Sequence, residues 1–240
     1  MSKTRAIQIA PSILSGDFGH LAEAAKMAEE AGADALHIDI MDGHFVPNLT
    51  LGPRAVAAIR RATPLFLDVH LMIYNPFGYI EQFVEAGAGR ITIHFEATED
   101  VEDTLNFIRR CNIQAGLAFC PETSESMIPK YLDKCDLLLI MTVQPGFGGQ
   151  AFLPEALEKV RFARSVCDRL GIRERGAVLQ EGQSPDSIPP FAIQVDGGIQ
   201  EETAKQCREA GANVLVSGSY LYGAKDMKKA IQSLRGCEHS

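Results

Sequence analysis

Residues 21–41 read LAEAAKMAEEAGADALHIDIM. From Leu21 to Gly32 the apolar residues recur at helical spacing, whereas Ala35 to Met41 is a short apolar run of strand length. Between them stands Glu30-Ala31-Gly32-Ala33. A helix that must stop and turn into a strand favours Gly just past its end, where φ is positive. The same tetrapeptide returns at 85–88 and at 209–212, each time closing a helical pattern ahead of a strand.

Working outward, the strand candidates are AIQIA (6–10), ALHIDIM (35–41), LFLDVHLM (65–72), RITIHFE (90–96), AGLAFC (115–120), DLLLIMTV (136–143), FAIQVD (191–196) and NVLVSGS (213–219). Helical patterns such as YIEQFVEAGAG and ALEKVRFARSVCDRLG lie between them. Eight strand-then-helix units in 240 residues predict an α/β fold, a single-domain (β/α)8 TIM barrel over 1–240. The doubly wound open sheet is the rival, but it wants Gly-x-Gly-x-x-Gly after the first strand, and Ser12-Ile-Leu-Ser-Gly-Asp is not that. One connection, RERGAVLQEGQSPDSIPP (173–190), is long for such a unit. It falls on the helix-to-strand side, opposite a barrel's active face, and predicts a surface insertion or subunit contact.

Composition narrows the class further. Lys plus Arg number 23 against 31 Asp plus Glu, a net charge of −8, so the chain lacks the overall attraction for phosphate backbones that nucleic-acid binders show. Cys111, Cys120, Cys135, Cys167, Cys207 and Cys237 form no C-x-x-C pair, which argues against a zinc ribbon and fits a reducing compartment. No secretory signal opens the sequence and no apolar run approaches the roughly 18 residues of a membrane span. The expectation is a cytoplasmic protein, a homo-oligomer with a small-molecule ligand and neither nucleic acid nor membrane as partner.

Strands inside a barrel should be nearly continuously apolar. Four break that rule at their C-terminal ends: His37-Ile-Asp39, Asp68-Val-His70, His94-Phe-Glu96 and Gln194-Val-Asp196. Residues i and i+2 share a side, and a buried carboxylate demands compensation, which a cation supplies. His37, Asp39, His70 and Asp196 make a nitrogen and oxygen set suited to Zn²⁺, Fe²⁺, Mn²⁺ or Co²⁺. A second constellation is glycine-rich. Gln144-Pro-Gly146-Phe147-Gly148-Gly149-Gln150, Asp196-Gly197-Gly198 and Ser217-Gly218-Ser219 follow strands six, seven and eight, where barrels often hold phosphate on backbone amides. Met41, Met72 and Met141 each sit near a strand end. Met is usually core filler; ringing an ion, these three would wall off bulk water.

In their order along the chain, IAPSILSGDF, HIDIMDGHFVPN, DVHLM, PGFGGQ, VDGGI and the SGS loop resemble the ribulose-phosphate 3-epimerase family over about residues 7–222. The resemblance implies a metal-dependent interconversion of D-ribulose 5-phosphate and D-xylulose 5-phosphate in the pentose phosphate pathway. It implies one divalent ion, foremost Zn²⁺ or Fe²⁺, on His37, Asp39, His70 and Asp196, with Asp39 and Asp196 as the acid and base. It also implies substrate and phosphate contacts at Ser12, His70, Gly146, Phe147, Gly148, Gly149, Gly197, Gly198, Gly218 and Ser219. The chain departs from the family in Gln144 and Cys120, where many relatives have Asn, and in the 173–190 insertion.

The residues themselves support that chemistry. Inverting a carbon beside a ketone removes a proton from one face and returns one to the other, which suits carboxylates on strands two and seven. An allulose 6-phosphate epimerase would use the same residues. A phosphate-sugar decarboxylase or aldolase would want Asp-x-Lys-x-x-Asp, and Asp39-Ile-Met41-Asp42 puts Met where the Lys belongs. A barrel that had lost its activity should also have lost one of the four ligands, and all four are present.

Overall fold

The computed structural model describes residues 7–180, 182–184 and 187–236. Ala6, at the start of the first expected strand, and Cys237 lie outside the described residues, as do Glu181, Pro185 and Asp186 of the insertion. Eight parallel strands follow one another around a barrel: β1 (Gln8–Pro11), β2 (Ala35–Met41), β3 (Phe66–Met72), β4 (Arg90–His94), β5 (Gln114–Phe119), β6 (Leu137–Met141), β7 (Ala192–Asp196) and β8 (Val214–Ser217). Around them run α1 (Leu21–Glu30), α2 (Pro53–Ala62), α3 (Ile80–Glu85), α4 (Val101–Arg110), α5 (Ala156–Leu170), α6 (Glu201–Ala210), the single turn α7 (Ser219–Tyr222) and α8 (Met227–Arg235).

The three Glu-Ala-Gly-Ala repeats end α1, α3 and α6, with Gly32, Gly87 and Gly211 at φ of 82°, 98° and 111°. That is the left-handed backbone a side chain resists. Unit five departs from the expected alternation. Between β5 and β6 the chain forms only a 3-10 turn, Glu125–Lys130, with Pro129 inside it; a proline there blocks a regular helix. β4 also ends earlier than expected. It stops at His94, and Phe95–Ala97 turns away as a 3-10 segment, so Glu96 leaves the strand's two-residue period.

Along β2, Leu36, Ile38 and Ile40 face the helices in the main apolar core, while His37 and Asp39 alternate inward. The interior of the barrel is two-sided. Ala118, Leu137, Leu139, Met141 and Val214 pack as apolar side chains from β5, β6 and β8. Opposite them His37, Asp68, Arg90 and Gln194 are buried polar groups from β2, β3, β4 and β7. The β1–β2 seam is narrow: Ser12 and His37 form a parallel bridge, and lower down Asp34 N–H donates to Ile9 O at 3.0 Å while Ile9 N–H donates to Asp34 Oδ2 at 2.7 Å.

The insertion leaves α5 and is pinned by antiparallel bridges Ile172–Val178 and Arg173–Pro190 before β7 begins. It therefore lies at the helix-to-strand end of the barrel, away from the strand tips. Among the described residues no helix is long and apolar enough to cross a membrane, and Cys111, Cys120, Cys135 and Cys207 are free thiols.

Candidate active site

Because β2 and β3 pair with His37 beside Asp68 and Asp39 beside His70, four inward side chains form two tiers. In the upper tier Asp39 Oδ1 lies 3.1 Å from His70 Nδ1 and 3.3 Å from His37 Nε2, and the two ring nitrogens are 3.4 Å apart. From β7, Asp196 Oδ2 reaches within 3.7 Å of His37 Nε2 and 3.9 Å of His70 Nδ1. A tetrahedral ion with bonds of about 2.0–2.1 Å places its ligand atoms roughly 3.3 Å apart. The four donor atoms therefore have the chemistry and the spacing of a divalent-metal cage. Two imidazole nitrogens aimed at one point beside two carboxylates also have no better occupant than a cation.

The lower tier orients the first. Asp68 is fully buried and accepts from His37 Nδ1 at 2.9 Å, Arg90 Nε at 2.8 Å and Gln194 Nε2 at 2.7 Å. With an ion in the cage, His37 would carry its hydrogen on Nδ1 and turn Nε2 to it, an arrangement typical of metal-bound histidines. With no ion, burial lowers its proton affinity but Asp39 and Asp68 more than restore it, and the ring is drawn toward its charged form. Burial alone would raise the Asp68 carboxyl, but the charges of Arg90 and His37 outweigh it and hold it well below the usual range. Ser12 closes the seam by donating to Asp39 Oδ2 at 2.6 Å.

The two carboxyls of the cage are pushed in opposite directions. Burial and the negative charge of Asp39 raise Asp196 to about 7. Burial also presses Asp39 upward, yet His37 and His70 overcome it and hold Asp39 below the carboxylate range. Paired carboxyls with separated pKa values are what an acid and a base require. Behind His70, burial takes His94 down to about 4, so that ring is neutral.

Above the cage opens a cavity of about 490 Å³, a size that suits a small metabolite. Asp39 and Asp196 reach its floor with Met41, Met72 and Met141, and all three methionines are nearly fully buried there. Ser12, Gly146, Phe147, Gly148, Gly149, Gly197, Gly198, Gly218 and Ser219 line the rest, so the three glycine loops meet around one cavity. Among the described residues no Lys or Arg lines the cavity. Gly198 shows why the loop is glycine: at φ 65° a Cβ would stand 2.7 Å from the Phe152 backbone nitrogen.

His70 is fully buried beneath the cavity, with Nδ1 facing the cage and Nε2 facing His94 at 2.9 Å. Other residues gain jobs that sequence reading did not give them. Asn48 donates to Gly146 O at 2.8 Å and ties the β2 loop to the β6 loop; Thr50 Oγ1 donates to Asp39 O at 2.7 Å. Gln150 Nε2 donates to Gln144 O and Phe147 O at 2.6 and 2.8 Å, closing the β6 loop on itself. Arg90 was hidden at a strand start. Asp68, Gln194, His94 and Glu96 stood out as polar residues in strands, but only their register reveals what each one holds.

Fold and cavity together define a (β/α)8-barrel enzyme with two carboxylates across a candidate metal cage, below glycine loops of the phosphate-binding kind. A profile of the ribulose-phosphate 3 epimerase family matches residues 8–222. The chain belongs to that family, and it is an isomerase. A ribulose-phosphate 3-epimerase from Chlamydia muridarum is 49% identical over 99% of this chain and 98% of its own length. One from Bacillus subtilis is 44% identical over 96% and 99% respectively. Among solved structures, a 3-hexulose-6-phosphate synthase superimposes with a TM-score of 0.62 at 17% identity, covering 97% of this chain and 99% of its own. A tryptophan synthase α-subunit from Pyrococcus furiosus gives 0.68 at 14%, with the same coverages. At those identities the likeness is one of fold.

Proposed function

We propose that this enzyme interconverts D-ribulose 5-phosphate and D-xylulose 5-phosphate by moving a proton at C3 between Asp39 and Asp196. The observation that carries the proposal is the pair itself: two carboxyls, one from β2 and one from β7, that meet on one cavity floor. Asp39 takes the C3 proton from one face and Asp196 returns one to the other, and the roles exchange in the reverse direction. A bound divalent ion, Zn²⁺ or Fe²⁺ by the mixed imidazole and carboxylate set with Mn²⁺ and Co²⁺ admissible, supplies positive charge that stabilises the enediolate. The methionines keep water from that carbanion-like species. The amides of the 146–149, 197–198 and 218–219 loops take the phosphate.

An aldolase or decarboxylase reading fails at Met41, which lines the floor where a lysine would be needed. We further propose a cytoplasmic homo-oligomer. The free thiols support the first part, and the exposed Tyr74, Phe77 and Tyr79 beside β3 support the second. The test is turnover of ribulose 5-phosphate against allulose 6-phosphate. The proposal expects xylulose 5-phosphate to form at a far higher kcat/KM; preference for the six-carbon sugar, or no epimer from either, refutes it.

A further inference from the structure

Glu96 and His94 lie outside the four-donor cage, and the proposed reaction gives neither a step. We infer that they form a positioning relay that sets the tautomer of His70, and so decides whether its Nδ1 offers a lone pair to the ion. The inference rests on the metal reading of the proposed function.

The relay starts at Glu96. Its Oε1 accepts the Cys120 backbone N–H at 2.8 Å and the Thr123 hydroxyl, while Oε2 faces His94 Nδ1 at 3.2 Å. A carboxylate only accepts, so His94 carries its hydrogen on Nδ1. The Cys120 thiol, 3.5 Å from the same nitrogen, is a weak donor and does not compete with the carboxylate. The neutral ring therefore presents a lone pair at Nε2, and that atom lies 2.9 Å from His70 Nε2. Two ring nitrogens approach so closely only with a hydrogen between them. With an ion in the cage that hydrogen belongs to His70, and His70 Nδ1, 3.1 Å from Asp39 Oδ1, is left to face the ion. Asp68 sets His37 directly; Glu96 sets His70 through one intervening ring.

His94, Glu96 and Cys120 also approach one another closely enough to hold an ion of their own. An ion there would need the His94 Nδ1 lone pair, which would reverse the relay. The inference therefore predicts a single ion per chain.

The sharpest variant is Glu96→Gln, because it keeps the shape and inverts the direction. The Cys120 amide must still donate at the Oε1 position, so the carboxamide oxygen stays there and its NH₂ falls opposite His94 Nδ1. His94 must then carry its hydrogen on Nε2, and His70 must carry its own on Nδ1, inside the cage. Glu96→Ala imposes no such reversal. Zinc affinity would be read by competition with a chromophoric chelator on the full chain, with thermal melts as the check on folding. Histidine tautomers would be read by ¹⁵N NMR on the zinc-loaded protein.

The expected result is one zinc per wild-type chain, with His94 protonated at Nδ1 and bare at Nε2. For Glu96→Gln we expect at least about tenfold weaker zinc binding and a larger loss than for Glu96→Ala. The relay is overturned by Glu96→Gln binding zinc like wild type, by Glu96→Ala losing as much as Glu96→Gln, or by two zinc ions per chain. Should Glu96→Gln not fold, the wild-type spectrum alone decides: His94 protonated at Nε2 contradicts the relay. A wild-type chain that takes up no zinc removes the metal reading itself, and the relay with it.

Discussion

Asp39 and Asp196 are the same chemical group in two surroundings. Asp39 sits between two histidines and accepts from Ser12, so it is stabilised as an anion. Asp196 faces that anion from across the cage and is drawn toward its protonated form. Replacing either by Asn removes one proton carrier and should lower kcat by about 10²–10⁴-fold, while far-ultraviolet dichroism remains that of wild type. Near-normal turnover in either variant would dismiss the two-carboxylate scheme. Glu96 supplies a pH signature. Burial would raise its carboxyl, but His94, Thr123 and the Cys120 amide hold it at about 2, below its ordinary 4.5. A folded-state value below the unfolded one gives stability that is present above about pH 4.5 and lost as the pH falls toward 2. Wild type should therefore lose about 2 kcal/mol more than Glu96→Gln between pH 5 and pH 3, measured by denaturant titration at the two pH values.

At the scale of elements, one buried carboxylate fastens four strands. Asp68 on β3 holds His37 of β2, Arg90 of β4 and Gln194 of β7. All three partners donate, so an amide cannot satisfy them and Arg90 is left as an uncompensated buried cation. Asp68→Asn should cost roughly 3–5 kcal/mol, a fall in Tm of about 10 °C for a chain of this size, seen by calorimetry; a loss under about 1 kcal/mol would show that the lower tier is not a structural fastening. The strands and the four cage residues were legible in the sequence because polar residues inside apolar runs are conspicuous and their two-residue spacing gives their direction. Asp68 and Gln194 carried the same signal, but their partnership spans the barrel interior and depends on register. Glu96 was read as part of β4; the early stop at His94, which turns it back toward that ring, has no mark in RITIHFE. The helix missing between β5 and β6 does have a mark in the sequence, Pro129.

For the molecule as a whole, the closing seam and the site coincide. Ser12 bridges His37 and donates to Asp39, so the first strand meets the second at the cage, and an ion there would join β2, β3 and β7 as well. Binding that favours the folded state by about 2.7 kcal/mol, the value at a hundredfold excess over Kd, corresponds to a rise in Tm of about 5–10 °C. Stripping metal with a chelator should lower Tm by that amount and zinc should restore it; an unchanged melt would place the ion elsewhere. Most direct is the fate of hydrogen at C3 when ribulose 5-phosphate is turned over in D₂O. With two carboxylates on opposite faces, xylulose 5-phosphate from the earliest turnovers should carry deuterium at C3, and a chelator should stop its formation. Product that keeps the substrate's own hydrogen at C3, or that forms undiminished after chelation, would contradict the account.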